Sequence, residues 1–128
     1  MTQMEKVTAK YFKESEFVRC TPSCSLQDMK QSTMDKLDKA RELAGIPFVL
    51  NSAYRSKEYE ISKGRAGTSS HTLGYAVDIR CNTSENRFKI VTALREVGFN
   101  RIGIAKTYIH VDNSPHHKPN VIWDYYNS

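Results

Sequence analysis

The segment from Ser25 to Gly45 constrains the fold most, because its apolar residues fall on one face only if the segment is a long helix. Ser25 can cap this helix, with Asp28 three residues later as a weak form of the capping box. Gly45 supplies the left-handed residue that ends it. The apolar stripe consists of Leu26, Met29, Thr33, Leu37, Ala40 and Ala44. Such a helix buries its stripe only against a second layer of structure.

Short strands and a second long helix make up the rest of the chain. After Pro47 the residues 48–54 read as a strand, 56–61 as a short helix, 63–70 as a glycine- and hydroxyl-rich loop, and 75–79 as a strand. Ser84 caps the second long helix, which Gly98 ends, and two short strands follow at 101–104 and 108–112. The residues expected to face inward from this helix are Phe88, Val91, Leu94 and Val97.

Both ends of the chain carry aromatic residues that we expect to pack on this body. An irregular N-terminal arm holds Tyr11, Phe12 and Phe17, and the tail holds Trp123, Tyr125 and Tyr126 as a cover. The order of elements predicts the α+β class, with helices flanking one side of a mostly antiparallel sheet. A chain of 128 residues suits a single domain, 1–128.

Charge and hydropathy limit the partners of the protein. The net charge of +5 favours an anionic partner, although it serves general solubility equally well. The basic residues are scattered and do not interleave with aromatics, which disfavours specific nucleic-acid binding. No apolar run is long enough to span a membrane, and the N-terminus lacks the apolar stretch of a signal peptide. We therefore expect a monomer that is made in the cytoplasm and binds no membrane.

The three cysteines, Cys20, Cys24 and Cys81, do not form a complete disulfide framework because their number is odd. Cys20 and Cys24 are four residues apart, whereas zinc knuckles usually leave two residues between their cysteines. Reduced thiols are the favoured interpretation, and a metal or disulfide role is the alternative.

Three candidate metal ligands occur in the second half of the chain. His71 ends the glycine-rich loop, Asp78 lies in the following strand, and His110 lies in the last predicted strand. Two histidines and one carboxylate suit zinc and leave a fourth position open, as a catalytic site requires. Taken singly, each residue is more often an ordinary core or surface side chain than a ligand.

A family resemblance connects these residues. The run Ser69-Ser-His71-Thr-Leu-Gly74-Tyr-Ala76-Val-Asp78 resembles the Ser-x-His-x-x-Gly-x-Ala-x-Asp motif of the D-alanyl-D-alanine carboxypeptidase family of zinc peptidases, the M15 family. The segments around 52–56, 98–104 and 108–112 resemble further motifs of that family in the same order, and 11–17 resembles the opening of a small branch found in bacteria and phages. The resemblance implies a fold like that of the DD-peptidases and hedgehog proteins, with a zinc cofactor.

The resemblance also implies roles for individual residues. His71, Asp78 and His110 match the zinc ligands, and Ser69 matches a hydroxyl that contacts the substrate. Arg55 matches an arginine that binds the substrate or polarises the scissile carbonyl, although an ion pair with a neighbouring glutamate, Glu58 or Glu60, would also explain it.

One position departs from the pattern. Many relatives have an acidic general base three residues before the last zinc histidine, where this chain has Thr107. Asp112 shares the face of His110 on a strand, and it is either the base or a carboxylate that orients a histidine ligand. His116 and His117 follow in a polar tail that reads as loop.

These expectations describe a zinc metallopeptidase that cleaves peptidoglycan stem or cross-link peptides at bonds to D-amino acids. A phage or prophage lysis enzyme that a holin releases to the cell wall is one context, and a housekeeping enzyme is another. A non-catalytic, zinc-stabilised wall-binding module is the alternative that Thr107 favours. The choice between carboxypeptidase and endopeptidase stays open, because Arg55 suits either.

Overall fold

The structure is a computed structural model that describes residues 6–126. Residues 1–5 and 127–128, which belong to the predicted domain, lie outside the described residues. The prediction about a signal peptide rests mainly on residues 1–5 and therefore also lies outside them. The helices are α1 (Glu14–Val18), α2 (Gln31–Ala44), α3 (Lys57–Ser62) and α4 (Ser84–Glu96). The strands are β1 (Leu50–Ser52), β2 (Ala76–Arg80), β3 (Arg101–Ile104), β4 (Tyr108–Asp112) and β5 (Val121–Asp124). Two short 3-10 turns, Leu26–Asp28 and Ser70–Leu73, precede α2 and β2.

The five strands form one mixed sheet in the order β1-β2-β4-β3-β5. The first three pairings along this order are antiparallel, which confirms the predicted α+β class with a mostly antiparallel sheet. β5 runs parallel to β3 at the edge and was not predicted, because the tail was interpreted only as a packed cover. A parallel neighbour requires a long connection, and residues 105–120 with β4 among them provide it.

The two faces of the sheet have different environments, because successive side chains of a strand point to opposite sides. One face contributes Val77, Ile79, Ile109 and Val111 to the hydrophobic core, together with apolar residues of α2 and α4. The opposite face carries Asp78 and other polar residues of the strands. Helices α2 and α4 therefore cover one side of the sheet and leave the other for the site.

Helix α2 begins later than its apolar stripe predicts. Ser25 caps the 3-10 turn, where its hydroxyl accepts a hydrogen bond from the Gln27 amide at 3.1 Å, and α2 itself begins at Gln31. Leu26 and Met29 are nevertheless buried, so the stripe is continuous although the helix is not. Gly45 ends α2 in the left-handed conformation, with φ of +70°, as predicted.

The inward face of α4 is the predicted one except at Phe88, since Leu94 is buried and Val91 and Val97 pack against the core. Thr83 rather than Ser84 caps the helix, and the buried residues are Ile90, Ala93 and Leu94. Phe88 is 73% exposed, because it lies two residues, or about 200° around the helix, from Ile90. None of the described helices is both long and apolar enough to cross a lipid bilayer.

The N-terminal arm packs on the body as expected. Phe12 and Phe17 are buried in the core, and Tyr11 packs against it while its amide donates to Asp38 of α2 at 3.1 Å. The short helix α1 lies within this arm, which was predicted to be irregular.

Candidate metal centre

One row across the sheet brings the strand residues of the site together. Asp78 of β2 lies opposite His110 of β4, His110 lies opposite Gly103 of β3, and Gly103 lies opposite Trp123 of β5. Directly opposed residues have side chains within about 5.5 Å of each other on the same face. The two candidate ligands on strands are therefore neighbours because of the register between β2 and β4.

His71 reaches the same point from the 3-10 turn that precedes β2. Gly74 ends this turn with φ of +82°, and a Cβ at this position would lie 2.4 Å from the Asp28 carbonyl oxygen. Only glycine fits there, for both reasons. The Arg55 amide donates to the His71 carbonyl at 3.2 Å, which ties the turn to the chain that follows β1.

The three side chains converge on one point. His71 Nε2 is 3.2 Å from Asp78 Oδ1, His110 Nδ1 is 3.1 Å from the same oxygen, and the two histidine nitrogens are 3.2 Å apart. All three residues are buried, and their donor atoms form a group that could hold a metal ion.

The hydrogen bonds of the two rings set the nitrogen that each can offer. His71 Nδ1 lies 2.6 Å from the Ala53 carbonyl oxygen, to which it can only donate, so its Nε2 carries the lone pair. His110 Nε2 lies 2.6 Å from Asp112 Oδ2, so the proton belongs on Nε2 and the lone pair on Nδ1. In both rings the nitrogen that faces the centre is the one left unprotonated, as metal ligation requires.

The electrostatics of the group favour an ionised carboxylate between two histidines. Burial lowers the pKa of His71. Burial acts to raise the pKa of Asp78, but hydrogen bonds with His110 and His71 outweigh it and hold that pKa well below its usual range. Burial likewise acts to lower the pKa of His110, but hydrogen bonds with Asp112 and Asp78 outweigh it and raise that pKa. The carboxylate of Asp78 therefore stays charged and available as a ligand.

The dimensions of the group fit zinc. A tetrahedral ion with bonds of about 2.0–2.1 Å separates its ligand atoms by roughly 3.3 Å, close to the three distances above. Two neutral imidazoles and one carboxylate are a ligand set typical of catalytic zinc, in which the fourth position remains for water or substrate.

Arg55 and Ser69 meet around a buried glutamate beside this group. Arg55 Nη2 is 3.7 Å from Asp78 Oδ2, and its Nε is 3.7 Å from Glu60 Oε1. The Ser69 hydroxyl donates to Glu60 Oε1 at 2.8 Å, and Arg65 pairs with the other oxygen. Burial acts to raise the pKa of Glu60, but the hydrogen bonds from Arg65 and Ser69 outweigh it and lower that pKa. Glu60 therefore links two residues of the predicted site, whereas Glu58 is exposed.

Asp112 is fully buried on the far side of the His110 ring. Its Oδ2 accepts hydrogen bonds from His110 and from the Ser70 hydroxyl at 3.0 Å. Its Oδ1 accepts from Arg101 Nε at 2.8 Å and from the Ser114 amide at 3.1 Å. The carboxylate thus has four donors, and its contact with the three-residue group is made through His110.

Thr107 and the two tail histidines lie in different places. Thr107 is exposed in the turn before β4. His116 is exposed, with its ring edge toward Tyr75. His117, which the sequence interpretation assigned to plain loop, lines the cavity of the site and bonds the Ser114 hydroxyl at 2.7 Å.

An aromatic wall, formed by Tyr108, Trp123 and Tyr125, completes a cavity of about 340 Å³ over the candidate ligands. The centroid of the Trp123 ring lies 5.5 Å from that of the His110 ring and 5.1 Å from the guanidinium carbon of Arg101. Gly103 makes room for this wall, because a Cβ there would be 2.8 Å from both Trp123 and Tyr125. The sequence predicts that the aromatic tail packs on the body, but not that it lines the site, because that position depends on the pairing of β5 with β3.

Comparison with known proteins gives a match to a family of peptidases. The family model described as Peptidase M15 matches residues 10–112, which include all three candidate ligands and Arg55. No curated protein matches the chain.

Proposed function

The chain belongs to the M15 family of peptidases, and from that premise we propose that it is a zinc metallopeptidase that cleaves peptidoglycan stem or cross-link peptides at bonds to D-amino acids. The observation that carries the proposal is the triangle of His71 Nε2, Asp78 Oδ1 and His110 Nδ1, with sides of 3.1–3.2 Å. These three residues would hold the zinc ion. When bound, zinc supplies the Lewis acidity that activates water and polarises a carbonyl near neutral pH.

Arg55 is suited to bind an oxygen of the substrate. Its side chain is 18% exposed, and within residues 6–126 its buried Nε finds no hydrogen-bond partner. A guanidinium 3.7 Å from a metal-ligand carboxylate can donate to the oxyanion that develops on a scissile carbonyl. It can equally clamp a terminal carboxylate in bidentate fashion. The first use suits an endopeptidase and the second a carboxypeptidase.

Ser69 and Glu60 support this binding. Because the Ser69 hydroxyl donates its proton to Glu60, its oxygen lone pairs remain to accept a hydrogen bond from a substrate amide. The negative charge of Glu60 faces Arg55 and holds that guanidinium toward the cavity. We assign Glu60 a positioning role on this basis.

We assign Asp112 the role of the carboxylate that orients His110, rather than that of general base. Its four hydrogen bonds and complete burial keep its oxygens away from a water in the cavity. The hydrogen bond to His110 Nε2 fixes the tautomer that presents Nδ1 to the metal.

The alternative function is a non-catalytic, zinc-stabilised module that binds the cell wall. One specific observation favours it. In the part of the chain that the structure describes, the cavity-lining carboxylates are Asp78, a candidate ligand, and Glu60, which is already paired with Arg65. Neither is an uncommitted proton acceptor.

Peptidoglycan digestion separates the two functions. Purified zinc-loaded protein is incubated with peptidoglycan, new amine groups are counted, and the fragments are identified by mass spectrometry, which also shows which bond is cut. His71→Ala should abolish zinc binding and cleavage together, while His116→Ala, which changes an exposed histidine outside the cavity, should alter neither. Cleavage by the His71→Ala variant would refute the mechanism. Zinc binding without any release of amines by the unchanged protein would favour the binding module.

The biological context is also a proposal. A phage or prophage lysis enzyme that reaches the wall through a holin fits a small peptidase of this family, and the basic net charge of +5 suits an anionic wall polymer.

A further inference from the structure

Two cysteines outside the metal centre lie next to each other at the end of α1. The amides of Cys20 and Cys24 both donate to the same acceptor, the Phe17 carbonyl oxygen, each at 3.1 Å. The two backbone nitrogens are therefore separated by no more than twice that distance. Disulfide-bonded residues have Cα atoms about 4.4–6.8 Å apart, a range that this upper limit on the separation of the nitrogens allows.

The side chains of the pair also point to one region. Cys20 Sγ lies 3.3 Å from the Glu16 carbonyl oxygen, and Cys24 Sγ lies 3.7 Å from that of Phe17, the next residue of the same helix. Each thiol is the largest cause of the shift in the other's pKa, so the two side chains are close neighbours. Both are free thiols in this structure.

We propose that Cys20 and Cys24 form an intramolecular disulfide when the protein meets an oxidising low-molecular-weight disulfide such as glutathione disulfide. This inference is independent of the proposed peptidase activity, because neither cysteine lines the cavity of the metal centre.

The surroundings assign different roles to the two sulfurs. Cys24 is partly exposed, whereas Cys20 is only 4% exposed. The hydrogen bond from Cys20 lowers the pKa of Cys24, and a backbone hydrogen bond from Tyr54 acts in the same direction. The hydrogen bond with Cys24 and burial both raise the pKa of Cys20. Cys24 is thus the more accessible and more readily ionised thiol, and Cys20 is the partner that resolves the mixed disulfide.

The exchange proceeds in two steps that conserve atoms and electrons. The Cys24 thiolate attacks glutathione disulfide, forms a mixed disulfide and releases one glutathione thiolate. Cys20 then loses its proton and attacks the Cys24 sulfur, which forms the protein disulfide and releases the second glutathione thiolate. Two electrons pass from the protein to the reagent, and the two thiol protons go to the released glutathione or to water.

The bond would reinforce the segment that leads to the metal centre. The Thr21 amide donates to the Asn51 carbonyl of β1 at 3.0 Å, and Cys20 Sγ approaches the Leu50 carbonyl at 3.8 Å. The chain then continues from β1 to Ala53, whose carbonyl orients His71. Closing the short loop 20–24 should raise Tm by roughly 5 °C.

Thiol counting and peptide mapping test this inference. The folded protein is equilibrated with glutathione disulfide and then alkylated. We expect its three thiols to fall to one, with a mass loss of about 2 Da and a cross-linked 20–24 peptide. Cys81→Ser serves as the matched control, since Cys81 is a buried cysteine that lies apart, against Thr83, and this variant should oxidise as before. Cys20→Ser and Cys24→Ser should each prevent the loss of mass, with far-UV circular dichroism showing whether each variant folds.

Other outcomes would overturn the proposal. If the folded protein keeps three thiols under conditions that oxidise the urea-unfolded chain, the native geometry does not permit the bond. A stable glutathione adduct on Cys24, or a disulfide that includes Cys81, would also refute it.

Discussion

Replacing Asp112 by asparagine tests how the sheet prepares His110 for zinc. The carboxylate accepts four hydrogen bonds, two on each oxygen, whereas an amide accepts on one side and donates on the other. Arg101 and the Ser114 amide can only donate, so the amide oxygen should turn toward them. The amide NH₂ group then faces His110 Nε2, which must accept, and the ring proton moves to Nδ1. This is the tautomer that does not bind the metal.

The expected effect follows from this change of tautomer. Loss of the carboxylate that orients a histidine ligand typically weakens metal affinity by about 10–100-fold, which corresponds to about 1.4–2.7 kcal/mol. Competition with a chromophoric chelator measures the zinc affinity, and peptidoglycan digestion at saturating zinc measures the remaining rate. We expect weaker affinity, with most of the rate restored by excess zinc.

An exposed aspartate of β5 provides the control for this substitution. Asp124→Asn makes the same chemical change at an exposed aspartate of β5 and should leave zinc affinity unchanged. If Asp112→Asn binds zinc normally but loses about 10²–10⁴-fold in rate at saturating zinc, Asp112 is the general base and the positioning role is wrong.

Three further predictions concern the walls of the cavity and the metal. Gly103→Ala places a Cβ 2.8 Å from the Trp123 and Tyr125 rings, so it should cost about 1–3 kcal/mol of folding stability; an unchanged melting temperature would contradict the packing argument. Glu60→Gln should raise KM roughly tenfold, or about 1.4 kcal/mol, with a smaller change in kcat, because Arg55 loses the charge that positions it. Glu58→Gln, at an exposed glutamate of the same helix, is the control. A loss confined to kcat would refute the positioning role. Zinc affinity should fall between about pH 7.5 and pH 5, because histidine ligands must be unprotonated; calorimetric titration at the two values tests this, and equal affinities would argue against histidine ligation.

Sequence patterns predict the elements of this fold better than their arrangement. The stripe of α2 and the strand segments 101–104 and 108–112 are local features, and the structure confirms them. The register that sets Asp78 opposite His110 depends on pairing between strands that are distant in sequence. From the sequence, only their chemistry as metal ligands and the motif resemblance connect these two residues.

The aromatic wall shows why the rest of the site could not be predicted. Residues 121–124 contain strand-forming side chains, but so short a run after a polar stretch does not show which strand it pairs with. They become β5 because they pair with the free edge of β3, a tertiary contact that local preference does not specify. The prediction for Phe88 is wrong for a related reason. Its apolar side chain has the spacing expected of the buried face of α4 but lies in solvent, because packing against α2 decides which face of α4 is buried.

The three candidate ligands come together only when the sheet and the turn that carries His71 are both correctly formed. Asp78 and His110 belong to adjacent central strands, so backbone hydrogen bonds fix their separation. His71 belongs to a short turn, and its position depends on the Ala53 carbonyl that binds its ring and on the close approach of Gly74 to Asp28. Two candidate ligands are thus placed by the hydrogen-bond ladder of the sheet and one by local contacts of a loop. A metal that binds all three joins the loop to the sheet, so the free energy of metal binding also stabilises the loop that carries Ser69.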